Sequence, residues 1–270
     1  MTLTTLRLSD RGGIVTLRDK GAGDPVLLIH GVGMQSAAWD PQIAELSQTH
    51  RVIAVDLPGH GGSTALAPAQ GVSGYVTWLR GVVAALDLGP LSVVGHSMGA
   101  LIASGFAVEH PALTKRVCVL GSVYRRDAAA RAAVVARAAE IAQGNLDLET
   151  PLDRWFGDAA ADRAARTQVA AWLRTVDPQG YAAAYAAFAK GDATYADRLR
   201  QIDCPFLAIT GDGDPNSTPA MAHAMADQVP GGRALTIRGH RHMVNLTAPE
   251  QINAHLTAWL KTHAVQRETQ

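Results

Sequence analysis

Six short runs of apolar and β-branched residues constrain the fold of this chain more than any other feature of its sequence. They are PVLLIH (25–30), RVIAVD (51–56), LSVVGH (91–96), RVCVLG (116–121), PFLAIT (205–210) and RALTIR (233–238). Several are apolar throughout, which is typical of strands buried on both faces of a sheet. The runs therefore predict a mostly parallel sheet.

Stretches with helix-start signals separate these runs. Proline follows Asp40 and Thr218, and Pro249 precedes Glu250, at positions where the first turn of a helix tolerates proline. Asp40 and Thr218 are expected to cap the free N–H groups of their helices. Strands that alternate with helices predict an α/β fold with a doubly wound sheet.

Two segments depart from the alternation. TLRLSDRGGIVTLRD (5–19) alternates polar and apolar residues around Gly12 and Gly13, which predicts an antiparallel hairpin at the sheet edge. Residues 125–200 are rich in Ala and Arg, have a helix-start signal at Thr150 and Pro151, and show no convincing strand. Connections in α/β domains are usually short, so we predict a helical lid, the lid segment (125–200), between two core parts (1–124 and 201–270).

Composition excludes several classes of function. The formal charge is zero and no long run of like charge occurs, so we expect a small-molecule partner and neither nucleic acid nor a membrane surface. Residues 88–108 carry no charge, yet Pro90 and several glycines interrupt them, as in a strand, turn and helix. The start of the chain does not look like a signal peptide, which favours a cytoplasmic location. Cys118 and Cys204 are expected to be buried residues without a disulfide or metal role.

Ser97 stands in VGHSMG, directly after one apolar run and directly before another. Small residues on both sides let the backbone turn sharply, so that the serine hydroxyl is presented at the carboxyl edge of the sheet. The N–H groups of the following helix favour negative charge at the same place. The pattern predicts a nucleophile, although a serine that caps a helix between packing glycines gives the same letters.

HGVGM follows the first apolar run. Its turn is expected to aim the N–H of Val32 at the point faced by the N–H of Met98, which would form an oxyanion hole. GVGMQS can also be a dinucleotide fingerprint, with Asp56 as the ribose-binding acid. That alternative fails at Ser36, where the fingerprint needs glycine or alanine, and it gives Ser97 no role.

An acid and a histidine follow later strands, in the order serine, acid, histidine. Asp212 and Asp214 compete as the acid in TGDGDPNSTP, although turn-forming aspartates are common. His240 and His242 compete as the base in GHRHMVN. An acid on a loop at this edge of the sheet is suited to orient a histidine.

In these motifs the chain resembles the α/β-hydrolase fold family. The matching segments stand in the family's order and spacing: LLIHGVGMQSAAWDPQI, RVIAVDLPGHGGS, VVGHSMGALIA, IDCPFLAITGDGD and HMVNLTAPEQIN. The resemblance implies that Ser97 is the nucleophile, His242 the base and Asp214 the acid, with Val32 and Met98 as oxyanion-hole donors.

The resemblance implies an enzyme. We predict a serine hydrolase that cleaves a small carboxylic ester or lactone through an acyl-enzyme, without a metal or an organic cofactor. An amidase, a carbon–carbon bond hydrolase of a ring-cleavage pathway, a cofactor-free oxygenase, a haloperoxidase-like enzyme and a non-catalytic receptor remain possible on the same fold. His60 in DLPGHGGS is expected to be structural.

The substrate pocket is predicted only by residue type and position. Aromatic side chains of the lid segment are candidates for its walls, and Arg125, Arg126 and Arg241 are candidates for binding a substrate carboxylate. Arginines are more often solvated surface residues, and we expect that role for most of them. The residues predicted to line the pocket are Met34, Tyr124, Arg125, Trp155, Tyr185 and Met243.

Overall fold

One sheet of eight strands forms the centre of the part of the chain that the structure describes, residues 3–8, 13–66 and 70–262 of a computed structural model. The strands are β1 (Thr4–Arg7), β2 (Ile14–Lys20), β3 (Pro25–Ile29), β4 (Arg51–Val55), β5 (Leu91–His96), β6 (Thr114–Leu120), β7 (Phe206–Gly211) and β8 (Arg233–Ile237). Their order in the sheet is β1-β2-β4-β3-β5-β6-β7-β8.

Six strands, β3 to β8, run parallel, and β1 and β2 add antiparallel strands at one edge. The mostly parallel sheet and its antiparallel edge are therefore confirmed. The hairpin turn was predicted at Gly12 and Gly13; Gly12 lies outside the described residues, and Gly13 has a φ of 71°.

Helices cover both faces of the sheet, which confirms the doubly wound arrangement. Those outside the lid segment are α1 (Asp40–Leu46), α2 (Gly71–Ala85), α3 (Met98–Glu109), α8 (Pro219–Gln228), α9 (Val244–Thr247) and α10 (Pro249–Leu260). Successive side chains of β3 face opposite ways. Val26 and Leu28 join a buried cluster with α1 and α10, whereas Leu27 and Ile29 join a cluster with α2, α3 and α8.

The two predicted helix caps have different outcomes. Thr218 accepts a hydrogen bond from the N–H of Met221 at the start of α8. Asp40 does not cap α1, so that prediction is wrong. A short 3-10 turn leads directly into α1, and Asp40 already has helical φ and ψ of −52° and −41°, whereas a cap needs extended backbone. Its carboxylate lies 3.4 Å from Arg18 Nη1 instead.

The lid segment contains four α-helices and no strand, and all of it lies within the described residues. The helices are α4 (Ala128–Ala142), α5 (Glu149–Trp155), α6 (Ala160–Thr175) and α7 (Pro178–Gly191). Helix α5 begins at Glu149, where Asp147 Oδ1 accepts the N–H groups of Glu149 and Thr150. The division into two core parts and a lid stays a prediction.

The uncharged stretch 88–108 forms β5, the turn at Ser97 and most of α3. Among the described helices, none combines the length and the apolar character needed to cross a membrane. Cys118 and Cys204 are buried free cysteines, and burial raises the pKa of both thiols.

Candidate active site

Ser97 occupies a strained turn between β5 and α3. Its φ of 55° and ψ of −115° lie outside the regions that a residue with a side chain ordinarily adopts. The N–H of Ser97 donates to the carbonyl of Leu120 at 2.9 Å, which ties the turn to the end of β6. The serine is 8% exposed, at the carboxyl edge of the sheet.

The two glycines around the serine allow this turn because the backbone packs closely there. A Cβ at Gly95 would lie 2.0 Å from the carbonyl oxygen of Gly99, and a Cβ at Gly99 would lie 2.1 Å from that of Ile29. Neither distance is physically possible. A side chain at either position would push α3 away from the sheet and move Ser97.

Asp214 contacts His242, and Asp212 does not. Asp214 Oδ2 lies 2.7 Å from His242 Nδ1, while its Oδ1 accepts the N–H groups of Asn216 and Ser217. Burial raises the pKa of the Asp214 carboxyl, but the attraction of His242 and these hydrogen bonds outweigh it, so the pKa lies below its ordinary value. The exposed Asp212 accepts the N–H of Gly239 and holds a turn.

His242 lies beside the end of β6, next to the serine turn. A Cβ built at Gly121 would lie 3.1 Å from Nδ1 of His242. The ring of His242 also lies 4.7 Å from the ring of His96, the residue before Ser97. Because Nδ1 faces Asp214, Nε2 is the nitrogen left to face Ser97. In the described chain no hydrogen bond joins Nε2 to Ser97 Oγ, and such bonds are often long in a free enzyme. His240 is half-buried and contacts Thr247 Oγ1 at 2.9 Å.

The backbone amides of Val32 and Met98 are available to a ligand. Met98 is the first residue of α3, so its N–H has no acceptor within the helix. Val32 lies in the turn after β3, where a Cβ at Gly31 would lie 2.9 Å from Ser97 Cβ. Among the described residues neither amide donates a hydrogen bond. Two free donors next to the serine can stabilise an oxyanion.

Two buried histidines fix the loop that carries Val32. His60 Nε2 accepts the N–H of Gly33 and His30 Nε2 accepts that of Leu57, each at 2.9 Å. Each Nδ1 then donates to a nearby backbone carbonyl. Both rings must therefore be neutral, because a proton on Nε2 would face an N–H donor. The sequence predicted a structural His60; it missed His30, whose partner lies 27 residues away.

Burial lowers the pKa of three histidines around the site. It lowers the pKa of His30 to about 4 and the pKa of His60 and His96 to about 3. For His96, the neighbouring ring of His242 contributes to the lowering. His96 donates from Nε2 to the carbonyl of His242. Sequence reasoning missed His96 because nothing in GHSMG distinguishes its side chain.

We expect the free energy of unfolding to fall as the pH drops from about 6.5 towards 4. His30, His60 and His96 bind protons in the unfolded chain near their ordinary pKa of 6.5, but the folded protein excludes those protons until about pH 4 or 3. At pH 5 each histidine therefore costs up to about 2 kcal/mol of stability.

Urea unfolding, followed by tryptophan fluorescence from pH 8 to pH 5, measures this effect. The variant His60→Gln should flatten the pH dependence, and His223→Gln, at an exposed histidine, is the matched control. A stability that stays constant between pH 7.5 and pH 5 would contradict the expectation.

The residues predicted to line the pocket divide into two groups. Trp155 lies over His242, with ring centroids 5.9 Å apart, and half-buried Tyr185 lies 6.0 Å from the ring of Tyr181. Of the other four, Met34, Tyr124 and Met243 are buried in the core, and Arg125 is exposed.

Of the three arginines considered, only Arg126 is buried. Arg125 has a side chain 49% exposed and is paired with Asp197 at the surface. Arg241 donates to the carbonyl of Asp153 at 2.7 Å. Arg126 has a side chain only 4% exposed. The arginine included among the predicted pocket residues, Arg125, therefore lies at the surface, and its neighbour lies inside.

The geometry also disfavours a dinucleotide site. Asp56 is buried, and its Oδ1 accepts the N–H of Ser36 at 2.6 Å. Its second oxygen accepts from the hydroxyl of Thr16. The carboxylate links strand β2 to the turn after β3 and is not open to a ribose.

No metal site and no second chemical centre stand out in the residues described. Within them, no group of three or more His, Cys, Asp or Glu side chains is arranged to hold a metal ion. The absence of a cofactor stays a prediction. A cavity of about 300 Å³ lies at the opposite end of β7 and β8, lined by Cys204, Arg233 and Trp259 among others, and it contains none of the candidate residues.

Comparison with known proteins gives a family and relatives similar over much of the chain. A profile of the alpha/beta hydrolase family matches residues 26–255. The (E)-2-((N-methylformamido)methylene)succinate hydrolase of Acinetobacter baylyi is 50% identical over 244 residues, which cover 90% of this chain and 93% of that protein. The 2-hydroxy-6-oxo-2,4-heptadienoate hydrolase of Pseudomonas putida is 38% identical over 117 residues, 42% of each protein.

Solved structures share the fold at lower identity. An esterase from Thermogutta terrifontis superposes with a TM-score of 0.86 at 23% identity. The superposition covers 97% of this chain and 98% of the esterase. The enol-lactonase from Burkholderia xenovorans gives a TM-score of 0.85 at 22% identity, covering 96% and 100%. At such identities the likeness establishes the fold alone.

Proposed function

The chain belongs to the alpha/beta hydrolase family and is a hydrolase, and on that basis we propose that it hydrolyses the formamide group of a small unsaturated dicarboxylate. The similarity to the (E)-2-((N-methylformamido)methylene)succinate hydrolase of Acinetobacter carries this proposal, because half of the positions are identical over nearly the whole of both chains. An amide substrate is thereby favoured over the ester or lactone expected from the sequence alone.

In the proposed first step, Ser97 Oγ attacks the formyl carbon while His242 Nε2 accepts the serine proton. Asp214 supports this step because its carboxylate lies 2.7 Å from Nδ1, which keeps the proton on that nitrogen and stabilises the imidazolium that forms. Asp214 and His242 are both buried, which strengthens this charge interaction.

The carbonyl oxygen becomes an anion in the tetrahedral intermediate. The N–H groups of Val32 and Met98 stabilise that anion, helped by the positive end of α3. The C–N bond then breaks, His242 gives its proton to the leaving nitrogen, and the formyl group remains on Ser97 as an ester. Water, deprotonated by His242, attacks this ester, releasing formate and restoring Ser97.

The chemistry of such a substrate suits this site. Its amide nitrogen is conjugated through the double bond to a carboxylate, so the nitrogen donates less electron density to the formyl carbon than an ordinary amide nitrogen does. The formyl carbon is therefore more electrophilic, and the enamine leaves more easily. Acyl transfer to a serine can cleave such a bond.

The proposal predicts formate release from (E)-2-((N-methylformamido)methylene)succinate, measured by proton NMR. We expect kcat/KM on this compound to exceed that on p-nitrophenyl acetate, an enol-lactone and a vinylogous diketone by about 100-fold or more. Faster turnover of the ester or the lactone would favour an esterase or a lactonase instead. Carbon–carbon cleavage of the diketone would favour a carbon–carbon bond hydrolase, and binding without turnover of any compound would favour a receptor.

A further inference from the structure

Arg126 is a buried arginine for which the proposed mechanism has no use. Its side chain is 4% exposed, and its guanidinium carbon lies 4.4 Å from the centre of the Phe188 ring. Its Nη1 is 3.5 Å from the carbonyl oxygen of Phe188 and 3.4 Å from Asp192 Oδ1. Burial lowers the pKa of the guanidinium, and only the attraction of Asp192 and Tyr185 opposes that effect. A buried charge at this cost needs a reason.

One edge of the guanidinium is left without a partner. In the described residues, the Nε and Nη2 of Arg126 have no hydrogen-bond acceptor. This is the edge that binds a carboxylate with two parallel hydrogen bonds. Elsewhere in this protein Arg51 shows that geometry, with Nε and Nη2 both donating to Asp19 at 3.2 and 2.7 Å.

The charges around Arg126 do not balance. Asp192 is fully buried, and it contacts Arg131 Nη2 at 3.1 Å as well as Arg126. Asp192 Oδ2 also accepts the backbone N–H of Arg126. Two guanidinium groups therefore share one carboxylate, and of the two only that of Arg126 is buried, since the side chain of Arg131 is 45% exposed. An anionic ligand would compensate the charge on Arg126.

A row of aromatic contacts connects Arg126 with the candidate active site. A Cβ at Gly33, next to Val32, would lie 2.9 Å from the ring of Tyr181. The rings of Tyr181 and Tyr185 are 6.0 Å apart, those of Tyr185 and Phe188 are 5.8 Å apart, and Arg126 stacks on Phe188. The sequence also keeps Arg126 near the site, because Gly121, which lies against His242, is only five residues before Arg126.

We infer that Arg126 binds a carboxylate of the substrate through Nε and Nη2 and so selects substrates that carry a carboxylate. This inference rests on the proposed function, which supplies the anionic substrate. It assigns the role to Arg126 and not to Arg125, whose guanidinium lies at the surface and is already paired with Asp197.

The test compares two substrates in two matched variants, Arg126→Gln and Arg125→Gln. The measured quantity is the ratio of kcat/KM on the formamide dicarboxylate to kcat/KM on p-nitrophenyl acetate, which has no carboxylate. We expect this ratio to fall by about 10- to 150-fold in Arg126→Gln, as for a lost charged hydrogen bond, and by less than about threefold in Arg125→Gln. Equal losses on both substrates, an unchanged ratio, or a selective loss in Arg125→Gln would overturn the inference.

Arg126→Lys is a second variant in case Arg126→Gln does not fold. It keeps a positive charge beside Asp192 but cannot bind a carboxylate through two parallel hydrogen bonds. The ratio should fall by roughly tenfold in this variant, and an unchanged ratio would overturn the inference.

Inhibition by succinate separates this inference from the proposed function. Succinate should inhibit hydrolysis of p-nitrophenyl acetate, with an inhibition constant at least about tenfold higher in Arg126→Gln than in the natural protein. If the natural protein releases no formate but shows this difference, the proposed function fails and the role of Arg126 stands. An equal inhibition constant in both proteins would overturn the role of Arg126.

Discussion

Ser97→Ala should fold normally and lose hydrolysis by about 10⁴-fold or more in kcat. The serine hydroxyl supplies the atom that becomes covalently attached to the formyl group, so no other group in the site can replace it. The side chain makes little packing contribution, because the strained turn is held by Gly95, Gly99 and the bond from the Ser97 N–H to Leu120.

The measurement is formate release under saturating substrate, together with the urea midpoint of each protein. Ser104→Ala is the matched control, since Ser104 is a buried serine on α3, the helix that follows Ser97, and its hydroxyl has no partner among the described residues. It should keep kcat within about threefold of the natural protein. A Ser97→Ala variant with full activity would end the assignment of the nucleophile.

His242→Ala should lower kcat by about 10⁴-fold or more, whereas His240→Ala should cost about tenfold or less. His242 is the base in the proposed mechanism and contacts Asp214, whereas His240 contacts Thr247. Removing His242 also leaves Asp214 as a buried carboxylate without its partner, so a loss of stability is expected as well.

Both variants are compared on one activated ester at constant pH, at a temperature where each is folded. The urea midpoints separate the loss of catalysis from the loss of stability. If His240→Ala is the inactive variant and His242→Ala is not, the base has been assigned to the wrong histidine.

The sheet could be predicted because the residues within each strand already show whether its two faces are buried. A run such as PVLLIH is apolar on both faces, and β3 is buried on both faces in the structure. The turn at Ser97 was predicted for the same reason, because only small residues permit the close approach of α3 to the sheet. The catalytic roles of Ser97, Asp214 and His242 stay predictions until variants are measured.

What the sequence did not reveal depends on contacts between distant parts of the chain. Arg125 and Arg126 are adjacent and identical, and only the fold puts one at the surface and its neighbour against Asp192. Trp155 was predicted to line the pocket from its residue type alone, and its contact with the ring of His242 depends on the position of α5 in the fold. Asp40 failed as a cap because the preceding residues form a turn that no local motif announces. The cytoplasmic location and the small-molecule partner stay predictions.

Mapping the site of covalent modification decides whether Ser97 is the nucleophile. The protein is treated with a serine-directed organophosphonate, digested, and examined by mass spectrometry, with Ser97→Ala treated in parallel. We expect one adduct, on the peptide that contains Ser97, no adduct on the variant, and a loss of formate release in proportion to labelling. An adduct on a different side chain, or a fully labelled protein that still releases formate, would contradict the proposed mechanism.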